Sequence, residues 1–243
     1  MNTTKELSIN DSLDRVFTEE LLLQNVCQTP VFSNFQKAQL LLKRIFDVMF
    51  ALFLTILLSP LFMIICLAIV LTSKGSPIYR QYRKGLNQKH FYIYKFRTMY
   101  ENAHEHREKL FVNNESEGII FKIKDDPRVT RVGWFLRSYS FDELPQILNV
   151  LKGDMSFIGP RPFSIEVFER KKISHPIYLL WLDNRHILKP GISGLWQVSG
   201  RNDLSFTDLV YYDLYYVTHW NLLLDLEILF KTLMVVATSK GAY

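Results

Sequence analysis

The sequence predicts a mainly helical α+β protein: an N-terminal apolar helix-break-helix at a membrane, then a compact domain carrying amphipathic helices. Three observations lead there. Residues 45–71 read IFDVMFALFLTILLSPLFMIICLAIVL, 27 residues with Asp47 as the single charge. Seven basic residues and no acid follow between Thr72 and Tyr100, which more than accounts for the formal net charge of +5. The remainder alternates turns with helical periodicity, except at His90–Met99, where aromatic and polar residues alternate as in a short strand.

The 243 residues, 48 % apolar and 22 % charged, fit one domain or a small pair and exclude a disordered or collagen-like chain. Two cysteines, Cys27 and Cys66, cannot build a disulfide scaffold, so the polar part reads as belonging to a reducing compartment. The organisation expected is an extension over residues 1–40, a membrane segment over 41–73 and a domain over 74–243. Met1–Gln39 carries five acids against three bases, with weak helical periodicity around Val16–Val26, and reads as a peripheral arm.

The apolar run lies too far from Met1 and is too long for a cleaved signal peptide. As one straight helix it is about 40 Å long, enough to cross a hydrocarbon core of about 30 Å with tilt. Ser59-Pro60 near its middle argues otherwise. Proline removes a backbone hydrogen bond, and a serine hydroxyl can satisfy the freed carbonyl. The arms Ile45–Leu58 and Leu61–Leu71 are about 21 and 16 Å long, too short to span separately. Lys43-Arg44 before the run and Lys74, Arg80, Arg83 and Lys84 after it favour both ends in the cytoplasm. The residues alone support a kinked span and a re-entrant hairpin equally. The basic segment calls for an anion, and its place beside the apolar run favours lipid or a phosphorylated substrate over nucleic acid, for which no readable fold motif is present.

Beyond Met99 the pattern predicts a helix over Asn102–Phe111, a loop at Asn113–Gly118 and a turn at Lys124–Arg128. Helices follow from Thr130 and over Asp142–Leu151, then an irregular loop at Gly153–Pro162 and a helix over Ser164–Ser174. After a turn at Pro190-Gly191 a last helix starts near Phe206. Asp225, Glu227 and Lys231 interrupt its apolar end, so it is not a second span. It either lies in the headgroup plane anchored by Trp220 or packs on the domain core.

No zinc-type Cys/His cluster, GxSxG, Walker A loop or GxGxxG is present. The candidate chemistry is a run of opposite charges: Asp126, Arg128, Arg131, Arg137, Asp142, Glu143 and then Arg161 in GPRP. Asp142-Glu143 has an ordinary explanation as a helix start, with Asp142 as N-cap and Pro145 third in the helix, or with Ser140 and Glu143 as a capping box. The same pair, faced by arginines, can hold a divalent ion and a phosphorylated ligand, and one carboxylate can attack phosphorus. The two explanations are compatible. Arg161 is flanked by Pro160 and Pro162, which leaves it little freedom and suits it to phosphate oxygens or to a core carboxylate.

KRIFDV (Lys43–Val48), Ser59-Pro60, YKFRTM (Tyr94–Met99), DPRVTRVGWFLR (Asp126–Arg137), SFDELPQILNVLKGDMSFIGPRP (Ser140–Pro162), KPGISGLWQVSGRN (Lys189–Asn202) and YDLYYVTHWNLLLDLEILFKT (Tyr212–Thr232) occur in this order. Together they resemble the bacterial sugar transferases, also called monotopic phosphoglycosyl transferases. The resemblance covers about residues 43–232. It implies transfer of a sugar 1-phosphate from a UDP-sugar, a hexose such as glucose or galactose, to undecaprenyl phosphate, with release of UMP. That reaction starts assembly of a surface glycan: exopolysaccharide, lipopolysaccharide or capsule. The family dyad falls on Asp142, the nucleophile that carries a phosphosugar, and Glu143, with Mg²⁺ bound at both. The basic positions of the family motifs fall on Lys95, Arg137 and Arg161, to which phosphate binding is assigned here, and Arg201 is a weaker candidate for the nucleotide. The family's Ser-Pro break falls on Ser59-Pro60 and turns the balance to a re-entrant membrane helix-break-helix. A cytosolic catalytic domain at the inner leaflet of the bacterial cytoplasmic membrane, with amphipathic interfacial helices, is then expected. So is a compact form of the family without a multi-span region before the catalytic unit. A homo-oligomer is compatible with the sequence, and which sugar is moved is left open. The alternative of another class is a membrane-tethered scaffold whose charged cluster binds anionic lipid or a partner without catalysis.

Overall fold

The structure, a computed structural model, describes residues 31–101, 103, 126–164, 184–200, 204 and 206–238. Ser33 opens the first helix with a capping box: its hydroxyl accepts from the Gln36 N–H at 3.2 Å, and the Gln36 side chain accepts from the Ser33 N–H at 3.0 Å. Helix α1 (Asn34–Leu57) therefore begins inside the stretch read from sequence as a peripheral arm. Leu58 breaks it, and α2 (Ser59–Thr72) leaves at 61°. The cause is local. Pro60 has no N–H to offer the Ile56 carbonyl, and the Ser59 hydroxyl donates to that oxygen instead, at 2.9 Å. No single described helix is long and apolar enough to cross a membrane, whereas the bent pair meets that test together.

The basic segment forms a strand that the sequence reading did not anticipate: β1 (Ile78–Lys84) pairs antiparallel with β2 (His90–Phe96), Tyr82 opposite Tyr92. Alternation along β2 turns Phe91 and Ile93 into the core and leaves Tyr92 exposed. Lys95 shares the parity of Phe91 and Ile93, so the strand delivers an ammonium to the inner side. Helix α3 (Arg131–Ser138) is capped by Thr130, whose hydroxyl accepts from the Gly133 N–H at 2.8 Å. A Cβ on Gly133 would lie 2.0 Å from the Thr98 carbonyl oxygen, so only glycine lets α3 press against the chain leaving β2.

A 3-10 turn, Phe141–Glu143, leads to α4 (Gln146–Lys152), β3 (Ser156–Ile158), β4 (Gly191–Ser193), α5 (Leu195–Ser199), α6 (Phe206–Thr218) and α7 (Leu222–Thr238). Strands β3 and β4 run parallel, Ser156 beside Gly191. Three expectations are corrected. The helix predicted over Asp142–Leu151 starts at Gln146, after the 3-10 turn. The loop predicted at Gly153–Pro162 contains β3, because β4 supplies a partner far away in sequence. The single terminal helix is two, and Trp220 between them is no headgroup anchor: it is 1 % exposed and its indole N–H donates to Asp225 at 3.2 Å. The α7 face bearing Leu223, Leu226, Phe230, Leu233 and Met234 is exposed. The expected helices over Asn102–Phe111 and Ser164–Ser174, the loop at Asn113–Gly118 and the arm before residue 31 lie outside the described residues, apart from Ala103 and Ser164.

Two apolar clusters organise the described residues. One joins Ala51 of α1, Ile93 of β2, Val150 of α4, Phe157 of β3, Tyr216 of α6 and Ile228 of α7. The other joins Ile65 and Ile69 of α2 to Phe96 and Leu136, with Phe141 and Leu144 packed against it. Polar ties fix α1 to the domain part-way along its length, at Lys43 and Arg44. Lys43 Nζ lies 2.6 Å from Asp225 Oδ2 and donates to the Ile158 carbonyl at 2.9 Å, while Asp225 Oδ1 accepts from Tyr216 at 2.7 Å. Arg44 donates to the terminal α4 carbonyls of Val150 at 2.7 Å and Leu151 at 3.2 Å. Removing Lys43 strands a buried carboxylate, so Lys43→Ala is expected to lower stability by about 3–5 kcal/mol. Glu227→Ala, which removes an exposed i,i+4 pair with Lys231, is expected to change it by no more than about 0.5 kcal/mol. Thermal unfolding of both variants in detergent checks the contrast.

Candidate active site

Asp142 and Glu143 share one tight turn, entered through Ser140 in the left-handed region at φ 57°. Ser140 makes no capping hydrogen bond, and Pro145, not Asp142, stands at the N-terminal boundary of α4. Both capping explanations are therefore corrected: the carboxylates are turned toward β2 and the segment after β3. Rings of Phe135, Tyr139 and Phe141 pack on one another, with centroids 5.0 to 6.3 Å apart, and brace the turn from α3.

Lys95 comes from β2, which Asn149 of α4 holds in place. The Asn149 amide donates to the Tyr92 carbonyl at 2.7 Å, and its oxygen accepts from the Tyr94 N–H at 3.0 Å. Arg161 comes from the segment after β3, laid backbone against backbone on β4. Gly159 N–H donates to the Ser193 carbonyl at 2.9 Å and Gly191 N–H to the Pro160 carbonyl at 3.1 Å. A Cβ on Gly159 would meet the Lys189 carbonyl oxygen at 2.3 Å, so the stacking requires glycine there.

These supports converge on Glu143. Lys95 Nζ lies 2.6 Å from its Oε1, Arg161 Nη1 donates to Oε2 at 3.1 Å, and Arg161 Nη2 donates to Oε1. Asp142 is held differently: its one ion-pair contact among the described residues is Lys95 Nζ at 3.7 Å. Burial works against the charge of Glu143, but Arg161 and Lys95 outweigh it and keep this carboxyl well below its ordinary range. Burial pushes Asp142 upward, Lys95 opposes that, and repulsion from Glu143 adds to it, leaving Asp142 above its ordinary value. One acid is thus clamped and the other is poorly compensated. Arg137 Nε donates to Thr98 Oγ1 at 2.9 Å, and burial lowers its affinity for a proton against the pull of Asp142 and Asp126.

The structure therefore brings Lys95, Asp142, Glu143 and Arg161 together, with Arg137 close enough to feel Asp142. Asp126 and Arg128 pair with each other at 2.6 Å, and Arg131 is exposed. Arg201 lies outside the described residues. Sequence reasoning missed Asn149 and Thr98. A polar residue on the inward face of α4 was the available signal for Asn149; Thr98 had none. No group of three or more His, Cys, Asp or Glu able to hold a metal occurs among the described residues. Adjacent carboxylates are hard oxygen donors of the kind Mg²⁺ takes beside waters and phosphate oxygens, and of the two Asp142 is the one whose oxygens are not already gripped at close range.

Residues 38–239 match the family model described as bacterial sugar transferase. The chain is 40 % identical over 242 residues to the undecaprenyl-phosphate galactose phosphotransferase of Salmonella typhimurium, covering 96 % of this chain and 48 % of that protein. It is 42 % identical over 205 residues to the exopolysaccharide production protein ExoY of Sinorhizobium fredii, covering 83 % and 88 %. Against the UDP-glucose:undecaprenyl-phosphate glucose-1-phosphate transferase of Klebsiella pneumoniae the identity is 38 % over 232 residues, covering 93 % and 46 %. The chain thus spans about half the length of some curated relatives and most of another.

The two acids should respond oppositely to substitution. A carboxyl with a raised pKa stabilises the fold at low pH and loses that contribution as pH rises through its folded pKa, so at neutral pH the Asp142 charge opposes folding. A carboxyl with a lowered pKa contributes above its unfolded pKa and loses the contribution as pH falls through the folded one. In EDTA at neutral pH, Asp142→Asn is expected to raise the thermal midpoint and Glu143→Gln to lower stability by about 3 kcal/mol, by leaving Lys95 and Arg161 unpaired. Differential scanning fluorimetry from acid to neutral pH reads both signs.

Proposed function

The chain belongs to the bacterial sugar transferase family, and from that premise we propose that it moves a sugar 1-phosphate from a UDP-sugar to undecaprenyl phosphate, releasing UMP, as the first step of a surface polysaccharide. The relatives named for galactose and glucose transfer make a UDP-hexose the donor to test first. The observation that carries the mechanism is the asymmetry of the acids: Glu143 locked between Lys95 and Arg161, Asp142 beside it with one contact at 3.7 Å.

In the proposed reaction an Asp142 Oδ attacks the sugar-linked phosphorus of the donor. The bond from that phosphorus to the bridging oxygen breaks, and UMP leaves with the electron pair. A phosphate oxygen of undecaprenyl phosphate then attacks the same phosphorus, the aspartyl oxygen departs as carboxylate, and the product is undecaprenyl diphosphosugar. Lys95 and Arg161 stand where phosphate oxygens approach Asp142, offset the repulsion of anion against anion and fix the donor's direction. Glu143 holds both cations at one spacing before the donor arrives. Asp142 and Glu143 would hold Mg²⁺, which when bound neutralises charge on the diphosphate and on departing UMP.

We further propose that α1–α2 is a re-entrant hairpin whose ends both lie on the cytoplasmic face. Lys43 and Arg44, part-way along α1 where the apolar run begins, are tied to the domain, and Arg97 donates to the Ser73 carbonyl just past α2 at 2.8 Å. One domain thus holds both ends, whereas a straight span would separate them by about 30 Å of hydrocarbon. The domain then meets sugar nucleotide from the cytosol and lipid phosphate from the inner leaflet.

With purified enzyme, undecaprenyl phosphate, Mg²⁺ and a panel of UDP-sugars, Asp142→Asn is expected to abolish UMP formation and the phosphosugar adduct trapped with donor alone. Arg161→Ala is expected to raise donor KM. Turnover retained by Asp142→Asn removes the covalent mechanism, and UMP from no UDP-sugar removes the reaction. For the hairpin, tags on Met1 and Tyr243 should both be inaccessible from outside intact cells; external labelling of the N-terminal tag would defeat it.

A further inference from the structure

We propose that Arg185 is a positioning residue for Arg161, linking helix α6 to the grip on the donor phosphates; the inference rests on the reaction proposed above. Arg185 lies in a 3-10 turn, Arg185–Ile187, just before β4. Its guanidinium holds three parts of the domain at once. Nη2 donates to the backbone carbonyl oxygen of Arg161. The same nitrogen lies 2.7 Å from Asp213 Oδ2 of α6, both side chains being 2 % exposed. Its Cζ stands 4.6 Å from the centroid of the Phe163 ring, two residues past Arg161.

Arg185 is too deeply buried to touch a substrate itself. Its reach to Arg161 matters because of the local sequence. Prolines at 160 and 162 fix their own φ, and a residue before proline is confined to extended conformations. What is left free at Arg161 is the orientation of its peptide plane. The hydrogen bond from Arg185 fixes that plane at its oxygen, and so fixes the root of the side chain that clamps Glu143. A buried ion pair is a poor source of stability compared with apolar packing, whereas one guanidinium nitrogen shared by Asp213 and the Arg161 carbonyl fixes those two groups relative to each other. Asp213 keeps the fork charged and oriented, Phe163 supports its face, and Arg161 receives the result.

The test is steady-state kinetics of the full chain with a UDP-sugar and undecaprenyl phosphate, together with thermal midpoints. Arg185→Lys keeps a cation near Asp213 but ends one bond short of the position of Nη2, so it cannot hold Asp213 and the Arg161 carbonyl together. Donor KM is expected to rise about tenfold, the equivalent of one charge-assisted hydrogen bond, with acceptor KM within about twofold of wild type. In an Arg161→Ala background the same substitution should change donor KM by less than about twofold, because its route of action is gone. Asp213→Asn, which leaves the fork in place, should show the same donor-selective rise to a smaller degree, and decides the matter if Arg185→Lys is not recovered folded. Equal rises in both KM values, a fall in kcat alone, or a full additional effect on Arg161→Ala would each make Arg185 merely structural and overturn the inference. A wild-type enzyme that releases no UMP would instead overturn the reaction on which it rests.

Discussion

Glu143 is gripped by two cations that arrive from different parts of the chain, Lys95 from the end of a strand and Arg161 from a proline-bounded segment after β3. Each is set by a different backbone device, the Asn149 amide docking α4 on β2 and the paired glycines stacking one segment on β4. Neither cation is held by Asp142 at close range, so their spacing exists before any ligand arrives. Like charges on a carboxylate and a diphosphate repel, and the barrier to bringing them together falls only if positive charge is already in place. A pre-set clamp supplies it without reorganisation. In the proposed reaction the poorly compensated charge of Asp142 is the complementary half: a carboxylate that the fold does not quench keeps its capacity to attack.

The bent apolar helix pair and the charged turn share one apolar cluster. Ile65 and Ile69 of α2 pack on Phe96, the residue after Lys95, and on Leu136, while Phe141 and Leu144 bracket the two acids and pack on the same cluster. α2 therefore packs beside chain neighbours of both the clamp and its target. Rings of Phe62 and Phe96 meet at 5.2 Å across this joint.

The sequence made the apolar break, strand β2, the start of α3 and the four charged residues of the site legible, because each depends on a local pattern: a proline, an alternation, a turn before a helix, a charge run. It misassigned what depends on partners distant in the chain. β3 looked like loop until β4 lay beside it, and for Trp220 headgroup plane and core stood equally open until its buried bond to Asp225 decided for the core. The carboxylates looked like a helix cap because acids favour first turns, but the left-handed Ser140 turns them away from the helix. Lys43 and Arg44 were legible as a topology signal, yet their actual partners are carbonyls and a buried acid more than a hundred residues away. Arg185 carried no signal that separates it from an ordinary arginine, since its importance lies in which backbone group it reaches, and Asn149 had only its place on the inward face of α4.

That double use of Lys43 and Arg44 constrains how the protein can sit at a lipid surface. A flank that were only solvated positive charge could slide relative to the headgroups by several residues at small cost, because each charge contributes about 1 kcal/mol near an anionic surface. A flank whose lysine bonds a buried aspartate and whose arginine closes the end of α4 cannot slide without breaking the domain. In the proposed arrangement the depth of the hairpin therefore sets the height of Asp142 above the hydrocarbon. The acceptor's phosphate is bound to a chain it cannot leave, so its height is fixed as well. Matching two fixed heights needs a rigid joint rather than a flexible tether, and the α2 cluster with the ties at Lys43 and Arg44 of α1 provides one.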